Sequence, residues 1–380
     1  MKRIAMVLAI ALLVGLMPIR AMAQPAQVNA KSAVLIDAAT GTVLFEQNAH
    51  EKLAPASVTK VMTMLLIMEA IADGRISWDD MVTTSEEAAA KGGSQVYLKV
   101  GETMTVNDML KSIAVSSAND CACAMAEHIA GSEAAFVELM NQRAAELGMT
   151  DTHFVNCTGL DDGEDAASHL TCAYDIALMS RELLVKHPKI KEFTTIWMDT
   201  IRDGAFGLSN TNKLVRFYPG ATGLKTGFTA NAGYCLSASA QREGMELIAV
   251  VMGSETSKDR FAACKQLLDY GFTNYALITP EVQTGQIPVK LGNAPTVSVT
   301  PASDPRLLID RAQKGSITTE VSLEELVTAP VSKGQRLGTM TVRAGEQVLA
   351  QIPMLATEPV PRLRWGQIFA TVLKSIAMGV

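Results

Sequence analysis

The chain reads as an α/β (α+β) protein: a mixed domain with a helical subdomain, followed by a small all-β domain. Two strand runs feed directly into a fully apolar helical run, and helical composition then dominates residues 106–185. Beyond about residue 278 the texture changes to short alternating segments separated by Gly and Pro turns, the pattern of a β domain. At 380 residues the chain exceeds one average domain. Its formal charge of −6 comes with no basic stripe, which argues against a nucleic-acid partner, and a hydrophobic fraction of 48% excludes disorder.

In chain order, Met1-Lys2-Arg3, an apolar run over 4–17 and Ala21-Met22-Ala23 form a secretory signal over 1–23, cut after Ala23. The alternative is an uncleaved anchor. Export implies an oxidising compartment, yet the spacing of the six cysteines is not that of a disulfide scaffold. Cys121, Cys123, Cys235 and Cys264 fall in apolar contexts and read as small buried hydrophobes; Cys157 and Cys172 are the one pair worth testing for a bridge. No Cys/His cluster has zinc-ligand spacing, so neither metal nor cofactor is expected.

Strands over 32–37 and 42–46 flank the turn Ala38-Ala39-Thr40-Gly41. They lead into Ala54-Pro55-Ala56-Ser57-Val58-Thr59-Lys60 and the apolar run 61–68, a helix with no face for water. Residues three apart share a helix face, which puts the Lys60 amine beside the Ser57 hydroxyl. A lysine whose pKa is lowered by burial or a neighbouring cation is able to activate such a serine, and a helix N-terminus offers N–H groups to an oxyanion. Alone, the pair is equally a capping serine and a solvated lysine.

The helical stretch 109–130 is broken at Ser116-Ser117-Ala118-Asn119. There Ser117 would relay a proton and Asn119 would bind a substrate carbonyl, unless the break is an ordinary N-cap. Helices over 133–147 and 174–185 are joined through Asn156-Cys157-Thr158-Gly159-Leu160. Lys225-Thr226-Gly227 precedes strand-like runs at 234–240 and 247–252; a cation, a hydroxyl and a bare backbone on a strand edge suit a substrate carboxylate, an exposed turn being the alternative. Arg260, at the start of a helix over 261–270, is a second carboxylate-binding candidate or a surface charge.

The small β domain spans 278–357, with strands expected at 296–300, 317–321, 337–342 and 348–352. In the last segment, 358–380, Trp365, Ile368, Phe369, Val372, Leu373 and Ile376 share one helical face beside Arg362, Arg364 and Lys374. That pattern predicts an amphipathic helix over 361–380 on an anionic membrane surface, with docking on the β domain as the alternative.

Ser57-Val58-Thr59-Lys60, Ser117-Ala118-Asn119 and Lys225-Thr226-Gly227 occur once each, in that order, and together resemble the penicillin-binding protein and serine β-lactamase set. Pro55-Ala56-Ser57-Val58-Thr59-Lys60, the Asn156 to Leu160 motif and Gly223-Leu224-Lys225-Thr226-Gly227-Phe228-Thr229 resemble more closely the low-molecular-weight D-alanyl-D-alanine carboxypeptidases. The resemblance covers about residues 30–275 and, more loosely, the β domain and amphipathic anchor. It implies the transpeptidase-like fold of that family for a catalytic domain over 24–275. It also implies an enzyme on the outer face of the bacterial cytoplasmic membrane that removes the terminal D-alanine from peptidoglycan stem peptides and is acylated by β-lactams.

Carried onto this chain, the resemblance makes Ser57 the acylated nucleophile, Lys60 its general base and Ser117 the proton relay. Asn119 would hold the peptide backbone, and Lys225, Thr226 and Arg260 the terminal carboxylate. Gly227 belongs to the same strand motif, and the N–H groups of Ser57 and Phe228 would form the oxyanion hole. Lys225 would favour a neutral Lys60 through its charge. The five histidines lie outside the three motifs, so no His-based triad competes. Ser-Ala-Asn stands where class A β-lactamases have Ser-Asp-Asn, and Glu164 lacks the context of a deacylating glutamate, which points to slow β-lactam turnover. A sensor that stays acylated at Ser57 is the competing reading.

Overall fold

The computed structural model describes residues 27–162, 165–281, 285–366 and 369. The expected signal over 1–23, Glu164 and residues 367, 368 and 370–380 of the expected C-terminal helix lie outside the described residues. The start of that helix is corrected: Arg362 bridges to Gly292 and the Leu363 N–H donates to the Leu291 carbonyl, so residues 361–364 are not helical.

A five-stranded antiparallel sheet forms the centre. Its strands are β1 (Ser32–Asp37), β2 (Val43–Gln47), β3 (Ala221–Thr229), β4 (Gly233–Arg242) and β5 (Met245–Ser254), in the order β2-β1-β5-β4-β3. Successive side chains of a strand face opposite ways, and here both faces are covered. Val34 and Ile36 of β1, with Ile248 and Val250 of β5, face the core shared with the helical subdomain. Ala33 and Leu35, with Leu247, Ala249 and Val251, face a second core under the C-terminal helix. All six residues of β1 are therefore buried.

The helical subdomain comprises α1 (Lys60–Ala72), α2 (Val106–Ser116), α3 (Asn119–Ala130), α4 (Glu133–Glu146) and α5 (Ala173–Lys186); α6 (Ser257–Asn274) covers the other face of the sheet. Helix α1 buries ten residues and has no polar stripe, as its apolar run predicts. Polar caps set several starts: Thr105, Ser132 and Thr256 each accept a backbone N–H of the first turn of α2, α4 and α6. Helix α2 stops where Ser117 enters the left-handed region at φ +64°, which makes the break inferred from sequence a change of direction between two helices.

The C-terminal domain holds a six-stranded sheet and its own core, built by Ile287, Val297, Leu337, Met340, Val342 and Met354. Its strands at Thr296–Pro301, Ile317–Leu323, Arg336–Ala344 and Gln347–Ala356 overlap the four expected segments. The strand Tyr275–Ile278 leaves α6 and pairs with Leu307–Asp310, tying the two domains together. No described helix is long and apolar enough to cross a membrane.

Three features bear on these expectations. Residues 221–229 form the edge strand that the reading of Lys225-Thr226-Gly227 on a strand edge implies, paired with β4. A hairpin of Met198–Ile201 with Phe206–Ser209 was not anticipated. Cys157 and Cys172 are not bridged, and all six cysteines are free. Cys157 lies 3.1 Å from a Glu133 carboxylate oxygen, whereas Cys172 caps α5 by accepting the Asp175 N–H.

Candidate active site

Ser57 lies in a single 3-10 turn, Ala56–Thr59, that runs straight into α1. With three residues per turn, positions 57 and 60 eclipse one another. Lys60 Nζ accordingly lies 3.0 Å from Ser57 Oγ and donates to the Thr158 carbonyl at 2.7 Å. Lys60 is fully buried, and burial pulls its pKa down to about 7, against smaller opposing influences from Cys157 and Asp120. An amine of that pKa is available as a base at neutral pH. Burial does this work here; the repulsion between the two ammonium groups falls instead on Lys225.

The Thr158 carbonyl is held by Asn156, whose side-chain oxygen accepts the N–H groups of Thr158 and Gly159 at 3.1 and 2.6 Å. The amide of Asn156 donates to the Leu160 carbonyl at 2.9 Å, closing the loop on itself. Gly159 is required there. At φ +81° a Cβ would sit 1.9 Å from the Ala56 carbonyl oxygen.

Ser117 and Asn119 stand at the α2–α3 corner, both buried. Asn119 donates from its backbone to the Ser94 carbonyl and from Nδ2 to the Gly92 carbonyl, both at 2.7 Å, while its Oδ1 is buried with no partner. Asp120, next in sequence, accepts the N–H groups of Val96 and Leu98 and so fixes the segment that carries Gly92 and Ser94.

Strand β3 brings the third motif alongside. Lys225 is fully buried, and its Nζ donates to the Thr226 carbonyl at 2.9 Å. Burial lowers its pKa well below the usual lysine range, and repulsion from Lys60 and Arg260 adds to this. Thr226 Oγ1 donates to Thr211 Oγ1 at 2.7 Å, and the Thr211 N–H donates to the Val115 carbonyl of α2, so hydrogen bonds link this strand to the Ser117 corner. Gly227 closes against the nucleophile turn: a Cβ there would lie 2.7 Å from the Pro55 carbonyl oxygen and 3.0 Å from the Val58 nitrogen. Phe228, at the mouth, is 53% exposed and stacks on Tyr234 with ring centroids 4.3 Å apart.

Arg260 is not a surface charge. It is buried, and its guanidinium donates to the carbonyls of Gly227 and Cys235 at 2.8 and 3.3 Å, bracing the strand behind the motif and adding positive charge there. Sequence reasoning passed over His169, whose Nε2 lies 2.8 Å from the hydroxyl of Thr59 inside the first motif. Its separation of 110 residues from Thr59 leaves no local signal.

The arrangement combines a serine beside a near-neutral amine, a second hydroxyl on a buried corner, a cationic wall and an unmet amide acceptor. Together these groups suit acyl transfer from a peptide that ends in a carboxylate.

Residues 19–256 match the family described as D-alanyl-D-alanine carboxypeptidase, and residues 272–362 match the C-terminal domain of penicillin-binding protein 5. The chain is 45% identical over 337 residues to the D-alanyl-D-alanine carboxypeptidase DacF of Bacillus subtilis, covering 87% of this chain and 85% of that protein. The structure is similar to penicillin-binding protein 5 of Haemophilus influenzae, with a TM-score of 0.77 and 30% identity, covering 89% of this chain and 99% of that one. It also resembles penicillin-binding protein D2 of Listeria monocytogenes in its ampicillin-bound form, with a TM-score of 0.59 and 33% identity over 65% of this chain and 99% of that one.

Proposed function

The chain belongs to the D-alanyl-D-alanine carboxypeptidase family, and from that premise we propose how its residues divide the reaction. The enzyme is a serine-type hydrolase of peptidoglycan peptides that end in D-Ala-D-Ala. Ser57 Oγ attacks the carbonyl carbon of the penultimate D-alanine as Lys60 Nζ takes its proton. The resulting oxyanion is received by the backbone N–H groups of Ser57 and Phe228. Ser117 passes a proton to the leaving nitrogen, the C–N bond breaks, and the terminal D-alanine departs. Water then hydrolyses the ester on Ser57.

Asn119 presents its unpartnered Oδ1 to an amide N–H of the substrate backbone. Lys225 and Thr226 take the terminal carboxylate, with Arg260 supporting from behind the strand. A carboxylate beside Lys225 would restore the charge that burial suppresses in the empty enzyme. A β-lactam presents the same carboxylate and a strained amide, so it acylates Ser57, and its ester is released slowly. Export by residues 1–23, a peripheral position on the outer face of the cytoplasmic membrane through residues 361–380, and a role in cell shape complete the reading.

The observation that carries it is Lys60, 3.0 Å from Ser57 Oγ with its pKa lowered to about 7 by burial. The test is D-alanine release from diacyl-Lys-D-Ala-D-Ala by protein lacking residues 1–23, beside its Ser57→Ala variant. Release by the first and not the second is expected. Because Ser57 caps no helix, the variant should melt with the parent. Absence of release while penicillin still labels Ser57 would favour the sensor.

A further inference from the structure

Beneath the nucleophile turn runs a polar relay that the reaction does not touch. Thr59 is fully buried; its Oγ1 donates to the Ala56 carbonyl at 2.9 Å and meets His169 Nε2 at 2.8 Å. His169 Nδ1 accepts the backbone N–H of Val155 at 3.1 Å, so the ring proton sits on Nε2. Nε2–H therefore donates to Thr59 Oγ1, which leaves the hydroxyl hydrogen for Ala56. Burial keeps the imidazole neutral, with its pKa lowered to about 4; His153 and Lys60 push in the same direction.

The far end of the relay is a backbone under constraint. Ala56 sits at φ +48°, in the left-handed region that residues with a Cβ seldom occupy. Its carbonyl packs on the bare Gly159 and is gripped by Thr59. That carbonyl and the Ser57 N–H are opposite ends of one planar trans peptide. Turning the carbonyl inward onto Thr59 turns the N–H outward.

We propose that His169 is a positioning residue for the oxyanion hole: through Thr59 Oγ1 it fixes the Ala56–Ser57 peptide plane and so aims the Ser57 N–H at the developing oxyanion. The proposal rests on the assignment of Ser57 as nucleophile and of its N–H as an oxyanion donor.

The test compares His169→Ala, His169→Gln, Thr59→Val and Thr59→Ser with the unsubstituted chain lacking residues 1–23. It reads the second-order rate of acylation by labelled penicillin and the infrared stretch of the penicilloyl ester carbonyl. Gln is able to donate to Thr59 through Nε2 and accept from Val155 through Oε1. Losing an oxyanion donor outright lowers rates about 10²–10³-fold, and a donor present but mis-aimed should cost less, on the order of tenfold. His169→Ala and Thr59→Val are expected to acylate about tenfold more slowly, with the ester band shifted to higher frequency as its hydrogen bond weakens, and their combination to add nothing further. His169→Gln and Thr59→Ser are expected to keep most of the rate and the parental band.

An unchanged rate and band in folded His169→Ala would overturn the proposal, as would a Gln variant as slow as the Ala variant. Should His169→Ala not fold, the Thr59 pair decides, because equal rates for Val and Ser refute the relay. If the unsubstituted chain is not labelled at Ser57, the nucleophile assignment fails and the proposal with it, an outcome distinct from normal labelling that ignores His169.

Discussion

Lys60 is among the largest fully buried side chains of the molecule, and a buried ammonium is costly to desolvate. Its role as a base follows from that cost, because the neutral amine is the form that burial favours. Acylation by penicillin should rise about tenfold per pH unit below 7 and level off above it, as the amine loses its proton. A rate flat from pH 5 to 8 would exclude Lys60 as the base. Between about pH 7 and 10.5 the unfolded chain holds a proton at this position that the folded chain does not, so this residue makes stability rise with pH across that window. Lys60→Met should therefore be catalytically dead yet melt higher than the parent, with a margin largest below pH 7 and shrinking towards 10.5. Calorimetry at several pH values checks this, at about 2–4 °C per kcal/mol for a domain of this size.

Three elements must meet for this chemistry, and their junctions are narrow. Gly227→Ala should push β3 away from the Ala56–Thr59 turn and lower acylation by roughly two orders of magnitude, the effect expected of one lost oxyanion donor. Activity at the parental level would show that the strand has room to yield. The serine, lysine and threonine of the motifs were legible in the sequence because their chemistry depends on short spacing: positions 57 and 60 share one turn, and residues 225–227 one strand. The corner at Ser117 was legible as a break in helical composition. What could not be read is what arrives from far along the chain. Thr158 offers Lys60 a carbonyl across 98 residues, and Asp120 holds the segment at residue 96 by side-chain bonds that no periodicity encodes.

At the scale of the whole molecule, the catalytic part and the C-terminal part own separate cores, joined by the pairing of Tyr275–Ile278 with Leu307–Asp310 and by Arg311, which meets the Tyr275 carbonyl and Glu243. A chain ending after residue 274 should acylate at the parental rate and melt somewhat lower, measured by penicillin labelling and thermal unfolding. A large drop in labelling would show that the β domain shapes the cleft. The cleft itself carries an imbalance. Asn119 Oδ1 is buried without a partner, an omission worth roughly 1–3 kcal/mol, and Lys225 is a buried amine whose positive charge burial suppresses. A ligand that brings an amide N–H and a carboxylate makes good both deficits at once, so the occupied enzyme should resist unfolding better than the working one. Under a protease that cleaves only opened chains, the penicilloylated protein should then outlast the free protein. The antibiotic would prolong the life of the enzyme it disables.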